Sequence, residues 1–149
     1  MLVETWHATY DPIYGAEEVT RTVDAWHSIA KLEQRLADGS AALLVGTWER
    51  RIVATAAATR ISAVSARLQC LYVRPAYQGL GIGERLLRAT LAHFPECKMV
   101  SLDVEPKNTR AIDFYTARGF RKSGEVGDCG AAGSGIAVHV YSRALPLHS

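Results

Sequence analysis

The segment Leu71-Tyr72-Val73-Arg74-Pro75-Ala76-Tyr77-Gln78-Gly79-Leu80-Gly81-Ile82-Gly83 constrains this chain more than any other stretch. It predicts a strand halted at Pro75, a tight glycine-rich turn, and the first turn of a helix. Gly79, Gly81 and Gly83 remove side chains where a helix exposes its unpaired first-turn N–H groups. Those donors, with the positive end of the helix dipole, suit a phosphate or pyrophosphate. The chain is therefore expected to hold a phosphorylated cofactor at one strand-to-helix junction.

Around that junction the sequence predicts a mixed α/β (α+β) sheet. Helical spacing runs from Glu17 to Ala37, with Val19, Val23, Trp26, Ile29, Ala30, Leu32 and Leu36 as its apolar stripe. Strands are expected at Ala41–Thr47, Ile52–Thr59 and Leu68–Val73, the first two joined by a polar turn at Glu49-Arg50-Arg51. A helix from Gly83 to Phe94 turns Leu86, Leu87, Thr90, Leu91 and Phe94 inward and Glu84, Arg85 and Arg88 outward; Pro95 stops it. Met99–Val104 is a strand. Asn108 is a fitting N-cap for a helix through Arg118, and Gly119 a fitting residue just past its end. Strands at Phe120–Val126 and Ile136–Arg143 close the chain around a glycine-rich loop, 127–135, expected to be mobile. No repeat or linker divides the sequence, so residues 1–149 are read as one domain.

At 149 residues and 48% hydrophobic, the chain can bury a sizeable core. Its net charge of +2 gives no broad attraction to nucleic acid. No apolar run reaches the ~20 residues that span a bilayer, and the start lacks a basic-then-apolar leader. A cytoplasmic location is expected, without membrane or nucleic-acid partners. Cys70, Cys97 and Cys129 are an odd number without CxxC spacing, which suits reduced thiols. His7, His27, His93, His139 and His148 are scattered, and none is assigned to a metal.

Three features recur in order: Gln78-x-x-Gly81-x-Gly83 after a strand, a further strand, and Asn108-x-x-Ala111-x-x-Phe114-Tyr115-x-x-x-Gly119-Phe120. In this the chain resembles the GNAT superfamily of N-acetyltransferases, clearly from about Ala41 to Phe120 and more loosely into the closing hairpin. The resemblance implies the acyl-CoA N-acyltransferase fold, with acetyl-CoA as co-substrate and an amine as acceptor. It places the pyrophosphate on the turn Gln78, Gly79, Leu80, Gly81, Ile82, Gly83 and Glu84, and the cofactor wall at Asn108 and Tyr115. Members of the superfamily usually begin with a strand before the first helix. This sequence starts almost at that helix, so the first strand is read as absent, shortened or supplied by another protomer.

The chemistry of these residues fits the resemblance. The backbone of Leu71, Tyr72 and Val73 can pair with the amide-rich arm of a thioester, as a peptide adds to a sheet edge. One of those N–H groups can also polarise the thioester carbonyl. Tyr115 stands two helical turns beyond Asn108 and is the expected general acid. Asp103 is the first choice as base, Glu105 the second, and an ordered water the third. An α-amine with pKa near 8 is short of deprotonation by about 1 unit at pH 7, about 1.4 kcal/mol, and a lysine by ~3.4 units. A weak base therefore suits an α-amine or a small amine of low pKa. Trp6, Tyr10, Tyr14 and Trp26 are candidates for the acceptor wall. Arg74, Arg85, Arg88, Lys107 and Arg110 are candidates for the adenosine 3′-phosphate.

Each residue also has a purely structural reading. The glycines shape a turn, Asn108 caps a helix, Tyr115 is a core aromatic, and Asp103 and Glu105 are strand-end carboxylates. Two other functions compete. A dinucleotide-dependent oxidoreductase is opposed by Glu84, which stands where that fingerprint needs a glycine. A non-catalytic acetyl-CoA sensor is opposed by Tyr115 and the carboxylate pair. An open sheet edge would also suit a homodimer.

Overall fold

A computed structural model describes residues 2–26, 29–126 and 138–147. Three helices come first: α1 (Leu2–Tyr14), α2 (Ala16–Trp26) and α3 (Ile29–Ala37). A meander follows, with β1 (Ala41–Trp48), β2 (Arg51–Arg60) and β3 (Ser65–Val73). Then come a short 3-10 turn at Pro75–Tyr77, α4 (Ile82–Leu91), β4 (Met99–Val104), α5 (Thr109–Ala117), β5 (Arg121–Val126) and β6 (Val138–Ala144).

The six strands form one sheet in the order β1-β2-β3-β4-β6-β5. All neighbours run antiparallel except β3 and β4, which are parallel and joined through α4. That crossover is what the glycine turn, the amphipathic helix and the strand at Met99 require.

The core follows from the same pattern. The run from Val53 to Ala58 in β2 is buried on both faces. Its alanines allow close approach by α4, whose Leu86 packs on Ala54 and Ala56. Leu87 and Leu91 of α4 join Leu68, Val100, Leu102, Phe94 and Phe120 in the main cluster. Across the sheet a smaller cluster unites Trp6 of α1 and Val19 of α2 with Tyr14 and Tyr72.

The expected strands are all present, with β4 at its expected bounds and β3 beginning three residues early, at Ser65. The helix expected from Gly83 to Phe94 ends at Leu91, because the chain then tightens into three-residue bonds, His93 N–H to Thr90 C=O and Phe94 N–H to Leu91 C=O, before Pro95 is reached. Two further expectations need correction. The helix read from Glu17 to Ala37 is two helices, α2 and α3, because a helical period records spacing and not the direction of the axis. No glycine or proline stands between Trp26 and Ile29 to signal a break. Within the expected stripe Val19 is buried and Leu32 half-buried, whereas Ala30 and Leu36 are exposed. The second correction is α1, a helix of 13 residues where no element was expected. Its β-branched and aromatic residues and Pro12 are weak helix formers, and packing of Trp6 and Tyr14 overrides that preference.

Among the described residues no strand precedes β1, which lies at one edge of the sheet. The loop at 127–135, Cys129, His27 and His148 lie outside the described residues, as do the side chains of Tyr10, Val23, Trp26 and Ile29.

Candidate active site

The parallel pairing of β3 and β4 is short. It runs from Ser65–Met99 to Leu68–Leu102 and then stops. Beyond that rung each strand keeps its outer partner: β3 pairs with β2 as far as Val73, and β4 with β6 as far as Val104. The two strands therefore part like a V. A bulge explains where: Ala57 faces Cys70 while Ala58 faces Leu68, so Gln69 is an extra residue at the level of the fork. A bulge bends its strand and increases local twist.

The fork leaves one edge of β3 open. Arg74 N–H donates to Val53 C=O at 2.8 Å, so residue 74 points its backbone groups toward β2. By alternation, Leu71 and Val73 turn their N–H and C=O groups toward the open side. At the end of that edge the Gln78 side-chain amide donates to Val73 C=O at 2.8 Å, folding the turn back onto the strand.

A cleft of about 700 Å³ opens at this place. Leu71, Val73, Gln78, Gly79, Gly81, Gly83, Glu84, Asn108 and Tyr115 all line it. Leu80 is solvent-exposed, Ile82 packs against Ala54 and Ala56, and the ring of Tyr72 meets Trp6 edge-on at 5.9 Å. Asp103 and Glu105 are not among the lining residues.

Gly81 caps α4 at φ +81°, a left-handed conformation, and offers no side chain to the first turn. The first helical bond is Arg85 N–H to Gly81 C=O, so the N–H groups of Ile82, Gly83 and Glu84 have no partner within the helix. Gly83 is needed for a different reason. A Cβ there would lie 3.3 Å from the Phe114 ring, so its absence lets α5 approach the start of α4.

Asn108 accepts a hydrogen bond from Ala111 N–H at 3.2 Å and caps α5 as expected, while Gly119 ends the segment at φ +86°. Tyr115 is buried between Phe114 and Phe120, with ring centroids 5.1 and 5.4 Å away, and still lines the cleft.

The two carboxylates have different surroundings. One oxygen of Asp103 forms an ion pair with Arg67 of β3, and the other is buried without a hydrogen-bond partner. Glu105 is 7% exposed and accepts from Lys107 N–H, while its carbonyl accepts from Asn108 N–H. Glu105 thus shapes the turn into α5.

Of the basic residues considered for a phosphate, Lys107 and Arg110 line the cleft. Arg74 pairs with Glu4 at 3.7 Å, and Arg88 with Glu84 at 3.2 Å. The structure adds residues that the sequence reading did not name. Ala8, Thr9 and Ile13 of α1 form one wall, and Arg118 lines the cleft beside Phe114. The Phe114–Arg118 spacing of four on a helix is a stacking signal, and the Arg118 guanidinium does lie 3.8 Å from the ring centroid. Hydrogen bonding from Arg88 and then the charge of Arg118 hold the Glu84 carboxyl below its ordinary range.

Comparison with known proteins agrees with this geometry. Residues 3–120 match the acetyltransferase (GNAT) family. A protein of Mycobacterium bovis described as an uncharacterized N-acetyltransferase is 33% identical over 115 residues, 76% of this chain and 74% of its own. A spermine/spermidine N(1)-acetyltransferase of Bacillus subtilis is 34% identical over 62 residues, 40% of this chain and 41% of that one. Among solved structures, the PaiA N-acetyltransferase of Thermoplasma acidophilum in complex with coenzyme A superposes with a TM-score of 0.82. That match covers 96% of this chain and 87% of the other at 21% identity, a likeness of fold.

Proposed function

The chain belongs to the acetyltransferase (GNAT) family, and from that premise we propose that it transfers the acetyl group of acetyl-CoA to a primary amine by direct attack in a ternary complex. Residues 1–149 act as one N-acetyltransferase domain in this reading. The observation that carries it is the fork between β3 and β4, with the N-terminus of α4, free of any side-chain cap, at its head and Tyr115 in its wall.

Acetyl-CoA supplies the activated acetyl group and the thiolate that leaves. Leu71, by its open N–H and C=O, and Val73, by its N–H, hold its amide arm, and one of those N–H groups polarises the thioester carbonyl. The N–H groups of Ile82, Gly83 and Glu84 receive the pyrophosphate. Tyr115 gives its proton to the departing sulfur. Asp103 does not line the cleft, so in this reading it takes the proton of the attacking amine through a water. Its buried, unpartnered oxygen favours it over Glu105, whose carboxylate is engaged with Lys107 N–H. Among the described residues the cysteines, Cys70 and Cys97, are buried and do not line the cleft, so neither serves a covalent intermediate in this reading. The acceptor is a small amine or a protein N-terminus. The Bacillus relative's name adds polyamines to the amines worth testing.

Thermal unfolding with acetyl-CoA, coenzyme A and NADH in parallel tests the cofactor. A ligand at 100 times its Kd adds ~2.7 kcal/mol, several degrees in a domain of this size. The two coenzyme A forms are expected to stabilise and NADH not to. Absence of a shift with both coenzyme A forms would remove the reading. Coenzyme A release with spermidine and with a short peptide bearing a free N-terminus then sorts the acceptors.

A further inference from the structure

Glu84 stands in the first turn of α4, among the N–H groups assigned to the pyrophosphate. A carboxylate suits the helix dipole there but repels an incoming diphosphate. Two cations answer it. Arg88, one turn along α4, donates to one oxygen at 3.2 Å, and Arg118, from the far end of α5, donates to the other at 3.3 Å. The group thus carries one negative and two positive charges, a surplus of +1 at the head of the fork.

The two arginines are not equivalent. Arg88 also donates to Leu147 C=O at 3.2 Å and does not line the cleft. Arg118 does line it, and its place does not depend on Glu84. Its guanidinium stacks on Phe114, donates to Phe114 C=O at 2.8 Å, and keeps a buried Nε without a hydrogen-bond partner. A stacked guanidinium is pre-organised, so little rotamer entropy is lost in keeping its charge beside Glu84.

We propose that Arg118 is a charge-balancing residue for the cofactor: it cancels Glu84 at the mouth of the cradle, so that the N-terminus of α4 receives a diphosphate with the charge of Arg88 left over. This rests on the acetyl-CoA reading above. It makes Arg118 a positioning residue that acts through Glu84, and it explains how a carboxylate is tolerated inside an anion site.

The test is a charge cycle read by calorimetric titration at low ionic strength. The proteins are the parent, Glu84→Gln, Arg118→Gln and the double variant. The probes are coenzyme A, 3′-dephospho-coenzyme A and phosphate-free pantetheine. Net charge alone sets the expected order for coenzyme A: Glu84→Gln tightest, parent and double variant alike, Arg118→Gln weakest. Each step is roughly fivefold, shrinking with added salt. The order should persist with 3′-dephospho-coenzyme A, which places the effect at the diphosphate, and vanish with pantetheine. A double variant as weak as Arg118→Gln would overturn the proposal in favour of a direct phosphate contact. Equal weakening of pantetheine would overturn it in favour of a packing role, and so would an Arg118→Gln that binds like the parent. Should Arg118→Gln fail to fold, Glu84→Gln alone decides, since it must tighten coenzyme A. Failure of the parent itself to bind coenzyme A would remove the cofactor reading, a result separate from any difference among the variants.

Discussion

The two sides of the sheet are built on different terms. On one side, the glycine turn, α4 and α5 meet β3 and β4 through a large shared core that includes Leu87, Leu102, Tyr115 and Phe120. On the other, α1 and α2 rest on the sheet through the small cluster of Trp6, Val19, Tyr14 and Tyr72, with the Glu4–Arg74 pair beside it. In the proposed function the first side meets its ligand with backbone groups, which every residue carries, so the sequence needs only to place glycines and caps correctly. In the same proposal the second would meet an acceptor with side chains on helices that local sequence positions weakly; Trp6 and Tyr14 pack in their own cluster and do not line the cleft. On that proposal, a cofactor site fixed by backbone beside an acceptor site fixed by packing would allow the acceptor to vary while the acetyl donor stays the same.

Trp6→Ala probes that division hardest. Loss of the larger partner in the small cluster should cost about 3 kcal/mol of stability. Coenzyme A affinity should stay within about threefold, while the KM for amine rises. A tenfold loss of coenzyme A affinity, measured by titration on the folded variant, would break the division. Tyr115→Phe tests the other side. Without the hydroxyl, kcat should fall by on the order of a hundredfold, about 2.7 kcal/mol of barrier, at unchanged acetyl-CoA affinity. An unchanged kcat would remove Tyr115 from the reaction and leave it as a core aromatic. Asn108→Ala should have the smallest effect. Loss of the cap on Ala111 N–H costs about 1 kcal/mol in denaturant unfolding. If it also weakens coenzyme A more than a few fold, Asn108 touches the cofactor as well as the helix.

The same division explains what could be read from the sequence. Gly81 and Gly119 have positive φ, Asn108 caps its helix, and Met99–Val104 is a strand at its expected bounds, because each is decided by neighbours a few residues away. The fork was not legible, since it depends on where pairing between distant strands stops. The Arg67–Asp103 and Glu84–Arg118 pairs are separated by 36 and 34 residues, and no local pattern announces either. α1 was missed for a related reason: burial of Trp6 against Tyr72 holds it, not the propensity of its own residues. Eleven of the candidate site residues named from the sequence line the cleft, Lys107 and Arg110 among them, but nothing in the sequence foretold that α1 would supply a wall.

Amide hydrogen exchange with and without coenzyme A tests the central claim most directly. If the fork holds the donor, Leu71 and Val73 and the N–H groups of Ile82, Gly83 and Glu84 should gain protection, while β1 and α3 stay unchanged. Tight binding of coenzyme A with no added protection along Leu71–Val73 would contradict the account, because the ligand would then be held somewhere other than the open edge of β3.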